Sequence, residues 1–235
     1  MTSRTLPPLR ATHRWRAPGG LWCFDTWGHH GRPVILIPAV LFDCGSWWPV
    51  AADLRPHATV TAVDLPGHGG STARARYRPD DLVDELAGLV AQLGLRQAPV
   101  LVGHGSSAAL AARFAIRYAT HAVVAVDPQL RASADRDQYL REIESQTVPE
   151  PYRHLATPAG DPHLLAAYRD CVNAWPHADT PPAARHARLA VHSRPPRPSD
   201  VSALPGWRHE TYGLPGSFPQ LAAVDRVVRD LRELL

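Results

Sequence analysis

Val100 to Arg113 reads VLVGHGSSAALAAR. A short apolar run ends in Gly-His-Gly-Ser-Ser and passes directly into an alanine-rich stretch with helical spacing. In sequence this is a buried strand, a tight elbow and a helix. The glycines matter because an elbow needs backbone angles that side-chain-bearing residues adopt only under strain.

Working outward, further apolar runs of similar length occur at PVILIP near Pro33, VTAVD near Val60, AVVAVD near Ala122 and RLAVH near Arg188. Continuous apolarity over a few residues, without alternation, is the mark of a strand covered on both faces. Helical patterns lie between the runs: GSWWPVAADL, then PDDLVDELAGLVAQLGL with Pro79 and Asp80 near its start, then SSAALAARFAIRYA. VDRVVRDLRELL closes the chain with helical spacing. ATHRWRA and LWCFDTW, joined by Pro18-Gly19-Gly20, predict an antiparallel pair at the leading edge. The fold class expected is α/β, a mostly parallel sheet of about eight strands flanked by helices, forming one domain over residues 1–235. Residues 129–186 break the rhythm, being polar, interrupted by proline and only intermittently helical. They are expected to form a lid insertion over the C-terminal ends of the strands, where such sheets bind ligands.

Bulk properties exclude several function classes. The 235 residues are 45% hydrophobic, enough for one well-buried core. The formal charge is +3 and the pI about 9.0. The basic residues are dispersed, and RARYR at Arg74 to Arg78 is too short for a nucleic-acid footprint, so no nucleic-acid partner is expected. Cys23, Cys44 and Cys171 have neither disulfide-framework nor metal spacing. The histidines, including His29 and His30, show no metal spacing with a carboxylate, and neither metal nor cofactor is expected. No apolar stretch approaches membrane-spanning length and the N-terminus has no signal-like core, so a cytoplasmic protein with no membrane partner is expected.

Four segments in order resemble the α/β-hydrolase superfamily. VTAVDLPGHGGST (Val60 to Thr72) resembles its D-x-P-G-H-G-x-S segment. HGRPVILIPAVLFDCGSWWPV resembles the strand, oxyanion loop and following helix. VLVGHGSSAALAARFAIRYATHAVVAVDP resembles the elbow region, and YGLPGSFPQLAAVDRVVRDL the histidine loop and last helix. The resemblance implies a serine on the elbow, a histidine to take its proton, an acid to orient the histidine and two backbone N–H groups for an oxyanion. Most of these are missing. The nucleophile position falls on Gly105, between the small residues Gly103 and Ser107. Shifting the frame to Ser106 would put His104 where a glycine-sized residue is needed. The histidine position falls on Ser217, in Gly-Ser-Phe-Pro. Asp127 sits where some lipases of the fold keep their acid; with no imidazole to orient, it is expected to cap the turn at Asp127-Pro128. The family's His-Gly reads Pro38-Ala39, leaving the backbone of Val40 and Ser106 as the oxyanion donors.

Ser106, His104 and Ser217 are therefore the candidate catalytic side chains, with structural support beneath the strand end the competing role for His104. Cys44, Ser107, Asp127, His192 and Ser193 are candidate pocket residues. A degenerate triad with a surviving oxyanion site leads to the expectation of a non-hydrolytic enzyme of bacterial specialised metabolism. It would transfer an acyl group from a thioester to a thiol or amine, because an intrinsically good nucleophile held in place needs no enzyme serine. Its partner would be an acyl or polyketide-like small molecule; an arginine-rich rim that includes Arg131, Arg136, Arg141 and Arg153 reads first as ordinary solvated charge, with an acyl or peptidyl carrier protein as the alternative it could meet. A cyclase, a non-catalytic binding protein with no cavity of about 300 Å³, and an atypical esterase using Ser106 or Cys44 are the alternatives.

Overall fold

A computed structural model of the protein describes residues 10–133, 135–176 and 186–235. Among the described residues there are eight strands: β1 (Ala11–Ala17), β2 (Gly20–Trp27), β3 (Arg32–Ile37), β4 (Ala58–Val63), β5 (Val100–His104), β6 (Ala122–Val126), β7 (Ala187–His192) and β8 (Arg208–Thr211). They form one sheet in the order β1-β2-β4-β3-β5-β6-β7-β8. β1 pairs antiparallel with β2, and β2 with β4; every other pairing is parallel. The hairpin and the five apolar runs thus lie where the sequence predicts them. β8 was not anticipated, because RHET is polar and half-exposed on the outer edge.

Side chains alternate across the central strands and both faces are buried. Ile35, Ile37 and Leu101 point to one side, among Leu82, Leu86 and Leu89 of α2 (Pro79–Gln92) and Leu110 and Phe114 of α3 (Ala108–Arg117). Val34, Leu36, Val100 and Val102 point to the other, among Val50 and Leu54 of α1 (Trp48–Leu54) and Val227 and Leu231 near the C-terminus. Trp47, fully buried, belongs to this second core, while Trp48 sits edge-on to Tyr152. α2 begins with Pro79 and carries Asp80 and Asp81 in its first turn, where a fixed φ and negative charge both favour a helix N-terminus.

One polar cluster fastens the leading hairpin to α2. Glu85 accepts hydrogen bonds from the Trp22 indole at 2.7 Å and the Gly19 amide at 3.0 Å. It also pairs with Arg74, and both side chains are almost fully buried.

Between β6 and β7 lie α4 (Arg136–Glu144), a 3₁₀ segment (Glu150–Ala156), α5 (Leu164–Ala167) and α6 (Arg169–Val172). Residue 134 and residues 177–185 of the expected lid fall outside the described residues. This segment crosses the loops after β3 and β4: the amides of Ala159 and Gly160 donate to the Leu41 carbonyl, and the Tyr168 hydroxyl donates to the Pro66 carbonyl at 2.7 Å. After β7 come α7 (Pro198–Ser202), β8, α8 (Pro219–Ala222) and α9 (Val224–Arg232). Among the described residues no helix is long and apolar enough to cross a membrane.

Candidate active site

The elbow is built as its sequence demands. β5 ends at His104, Gly105 takes φ +53°, and a 3₁₀ turn over Gly105–Ser107 runs into α3. A side chain at Gly103 is impossible without rebuilding the turn, since a Cβ there would lie 2.7 Å from the Ala108 Cα and the Ser107 carbonyl oxygen. Ser107, fully buried, donates its hydroxyl proton to the Pro38 carbonyl and ties the elbow to the loop after β3.

Strand register assembles the rest. His104 lies beside Val126, and Val126 beside Val191. The next residues, Gly105, Asp127 and His192, therefore follow at the C-terminal rim of neighbouring strands, whose spacing is about 4.8 Å. The Gln129 amide closes the row by donating to the Gly105 carbonyl at 3.1 Å. Together with Ser193, Ser217, Arg131 and Arg194 they line an open cleft of about 840 Å³.

Asp127 is the distinctive group in this cleft. It has φ +43°, unusual for a residue with a side chain. Its two carboxyl oxygens accept from the Ser193 amide and hydroxyl, each at 2.6 Å. It thus bridges to the end of β7, and capping of its own turn is not its role. Burial pushes its pKa up to about 6, against the opposing pull of the Ser193 hydrogen bonds and the Arg194 charge. A carboxyl group held near neutrality in a cleft can both take and return a proton.

His104 has both ring nitrogens committed. Nε2 donates to the Ser217 carbonyl at 2.8 Å, which leaves Nδ1 to accept from the Gln220 amide at 3.1 Å. Burial drives its pKa down to about 4, and Trp47 and Phe218 stand edge-on to the ring. This imidazole stays neutral and fixes the Ser217 loop; among the described residues its ring nitrogens meet no nucleophile. Ser217 itself is exposed, with its amide bonded to Gln146 of the β6–β7 segment.

The oxyanion arrangement differs from its sequence-based form. The Val40 amide donates to the Ser106 hydroxyl at 2.8 Å, so one expected donor is already engaged by the chain itself. Loop shape is supported from below by His68 of the Gly-His-Gly segment, whose Nε2 accepts from Leu41, a residue at φ +81°. Cys44 does not reach the cleft. It lines a separate depression of about 390 Å³ with Asp25, Asp43 and Asp64. Burial and these carboxylates push its pKa far upward, and the thiol donates to Asp25 at 3.6 Å, which removes any thiolate nucleophile.

His192 and His209 stack with ring centroids 5.2 Å apart and share a 3.0 Å hydrogen bond. Burial, then the neighbouring His209, lowers His192 to about 4. A histidine depressed from 6.5 in the unfolded chain stabilises the fold fully above pH 6.5, and that contribution is lost as pH falls through about 4. We expect the melting temperature to drop less between pH 7 and pH 5 in His192→Asn than in the unmodified protein, measured by scanning calorimetry.

Gln129, Arg194, Tyr139 and Gln220 were not singled out from sequence. Each reaches its place through a loop or a short helix, and no local spacing signals it.

Comparison with known proteins agrees with this architecture. The profile of the alpha/beta hydrolase family matches residues 30–233. RutD of Pantoea ananatis, whose name assigns it carbamate hydrolysis, is 38% identical over 76 residues, covering 32% of this chain and 27% of that protein. The match thus spans about a quarter of the relative's length. Among solved structures, the enol-lactonase of Burkholderia xenovorans aligns with TM-score 0.78 at 15% identity, covering 94% of this chain and 99% of that one. An esterase of Thermogutta terrifontis aligns with TM-score 0.75 at 19% identity, covering 95% and 97%. A protein that cleaves the ring of the Pseudomonas quinolone signal aligns with TM-score 0.76 at 16% identity, covering 96% and 98%. These relatives are named for enzymatic activities. By its matching profile and its sheet, the chain belongs to the alpha/beta hydrolase family.

Proposed function

We propose that the cleft carries out carbonyl chemistry without an acyl-enzyme, passing an acyl group from a bound thioester directly to a bound thiol or amine. The observation that carries this reading is the elbow tip. Gly105 offers no hydroxyl or thiol where the fold presents a nucleophile, and Asp127 stands beside it on the next strand. The acceptor's S–H or N–H proton passes to the Asp127 carboxylate as its sulfur or nitrogen attacks the thioester carbon. The tetrahedral intermediate then collapses, the C–S bond to the donor breaks, and Asp127 returns the proton to the departing thiolate. The Ser106 hydroxyl, which accepts from Val40, keeps its own proton and lines the smaller cavity that adjoins this cleft.

A cleft of about 840 Å³ accommodates an acyl donor and an acceptor together, which disfavours a binding protein with a filled site. Arg131 and Arg194 at its wall suit an acidic carrier protein as the source of the thioester. The near-neutral Asp127 also suits abstraction of a carbon-bound proton, and cyclisation of a polyketide-like chain is the second reading. The acyl-transfer reading departs from the hydrolase names of the relatives, because neither Ser106 nor Cys44 has an imidazole base among the described residues.

Mass spectrometry of acetyl to benzoyl thioesters, with and without a small thiol acceptor, decides between the readings. We expect acylated acceptor to form faster than in the enzyme-free control, with little free acid. Free acid as the main product restores a hydrolase; acceleration of neither reaction removes acyl transfer.

A further inference from the structure

We propose that a second, smaller cavity beside the cleft is a binding chamber for a ring-sized apolar group on the substrate, and that it sets which acyl chains the protein accepts. The inference rests on the reading of the cleft as the reaction site. The cavity measures about 140 Å³ and is walled mainly by Val40, Leu165, Val172, Tyr139 and Tyr168. The Tyr168 hydroxyl is already given to the Pro66 carbonyl, so that residue brings an apolar ring to the chamber and no free donor. Gln129, Ser133 and Tyr139 line both this cavity and the cleft, so the two adjoin.

Size and polarity choose the occupant. A dry apolar cavity of about 150 Å³ accepts one benzene molecule. A six-membered ring or a branched alkyl group of similar bulk therefore fits here, while a long chain or a fused ring system does not. Polar groups also line it, among them Ser106, Gln129, Ser133 and Arg169. The Ser106 hydroxyl retains its proton after accepting from Val40. At the junction Tyr139 stays protonated, its pKa pushed up to about 12 by burial. An acceptor such as a carbonyl next to the ring would meet these hydroxyls while the ring lies among Leu165 and Val172. A substrate seated this way extends toward Gly105 and Asp127 by way of Gln129, whose amide is bonded to the Gly105 carbonyl. The chamber depends on side chains from α4, α5 and α6 meeting the loop after β3, so it is a property of this chain's β6–β7 segment and not of the sheet.

Isothermal titration with acetophenone, a ring bearing one carbonyl, tests the chamber directly; acetone and 2-acetonaphthone are the undersized and oversized controls. We expect saturable one-to-one binding of acetophenone alone. Val172→Phe, at the buried wall, and Ala132→Phe, on the half-buried loop, each fill the space and should weaken binding by about tenfold or more. The loop variant keeps the test decisive if the wall variant folds poorly. Absence of saturable binding to the unmodified protein overturns the proposal, as does undiminished binding by the folded variants. Asp127→Asn separates the two readings, because it should bind acetophenone as the unmodified protein does. Ring binding without any acyl transfer leaves the chamber standing and removes the proposed reaction.

Discussion

Asp127→Asn should lower turnover by about 10²- to 10⁴-fold, the usual range for a positioned acid–base group, while the fold remains intact. Asparagine is nearly isosteric, tolerates φ +43° and can still accept the Ser193 amide hydrogen bond. The proton acceptor is what disappears. In the unmodified protein the carboxylate is the active form, so the rate should climb through pH 6 and level off above it. The stability effect has the opposite sign. A carboxyl group whose pKa is raised by folding stabilises most when protonated, and that contribution disappears as pH rises through about 6. At pH 8 the asparagine variant should melt at the same temperature as the unmodified protein or higher; at pH 4 the two should converge. Activity that survives the change, together with a lower melting temperature at pH 8, would assign Asp127 to structure alone.

Glu85→Ala should cost about 3–5 kcal/mol, the range for removing one partner from a buried ion pair. The loss exceeds the worth of the contacts, because two of the groups left behind are buried away from water. The Arg74 guanidinium would stay in the interior without its partner and the Trp22 indole N–H would lose its acceptor, while the Gly19 amide, on an exposed residue, can turn to water. Because these groups join the leading hairpin to α2, hydrogen exchange in Gly20–Trp27 should accelerate before that of the central strands. Glu85→Gln keeps an acceptor for Trp22 and Gly19 but not the charge, and should fall between. Urea unfolding of the three proteins measures the series; a loss under 1 kcal/mol for Glu85→Ala would show that Arg74 reaches solvent.

The central strands were legible because each is a short continuous apolar run, rich in β-branched residues, lying between segments of helical spacing. The elbow was legible because Gly103, Gly105 and Ser107 fulfil a steric requirement that follows from backbone geometry alone. β8 was not, since an edge strand of four residues makes few demands on its side chains, and Arg208 to Thr211 is polar throughout. In the site, proximity in sequence misled twice. Cys44 follows the oxyanion segment closely, yet the 3₁₀ turn it begins at Asp43 directs it to another face. Val40 and Ser106 were identified as backbone donors, but the Ser106 side chain accepts one of those donors, a hydrogen bond that only the folded loop reveals. Asp127 was noted from its position at the end of a strand, whereas its bridge to Ser193 depends on the register of β6 against β7.

The glycine at the elbow also affects what the protein can tolerate elsewhere. Any residue with a Cβ held at a left-handed angle costs roughly 1–2 kcal/mol, and Gly105 at φ +53° does not. Measured against a total stability of about 5–15 kcal/mol for a domain, that is a sizeable margin. It permits one or two mildly destabilising substitutions in the β6–β7 segment or the cleft wall before folding fails. A lineage with glycine at this joint can therefore vary the shape of its pocket more freely than one that keeps a side chain there, and its substrate range can drift while the sheet beneath stays the same.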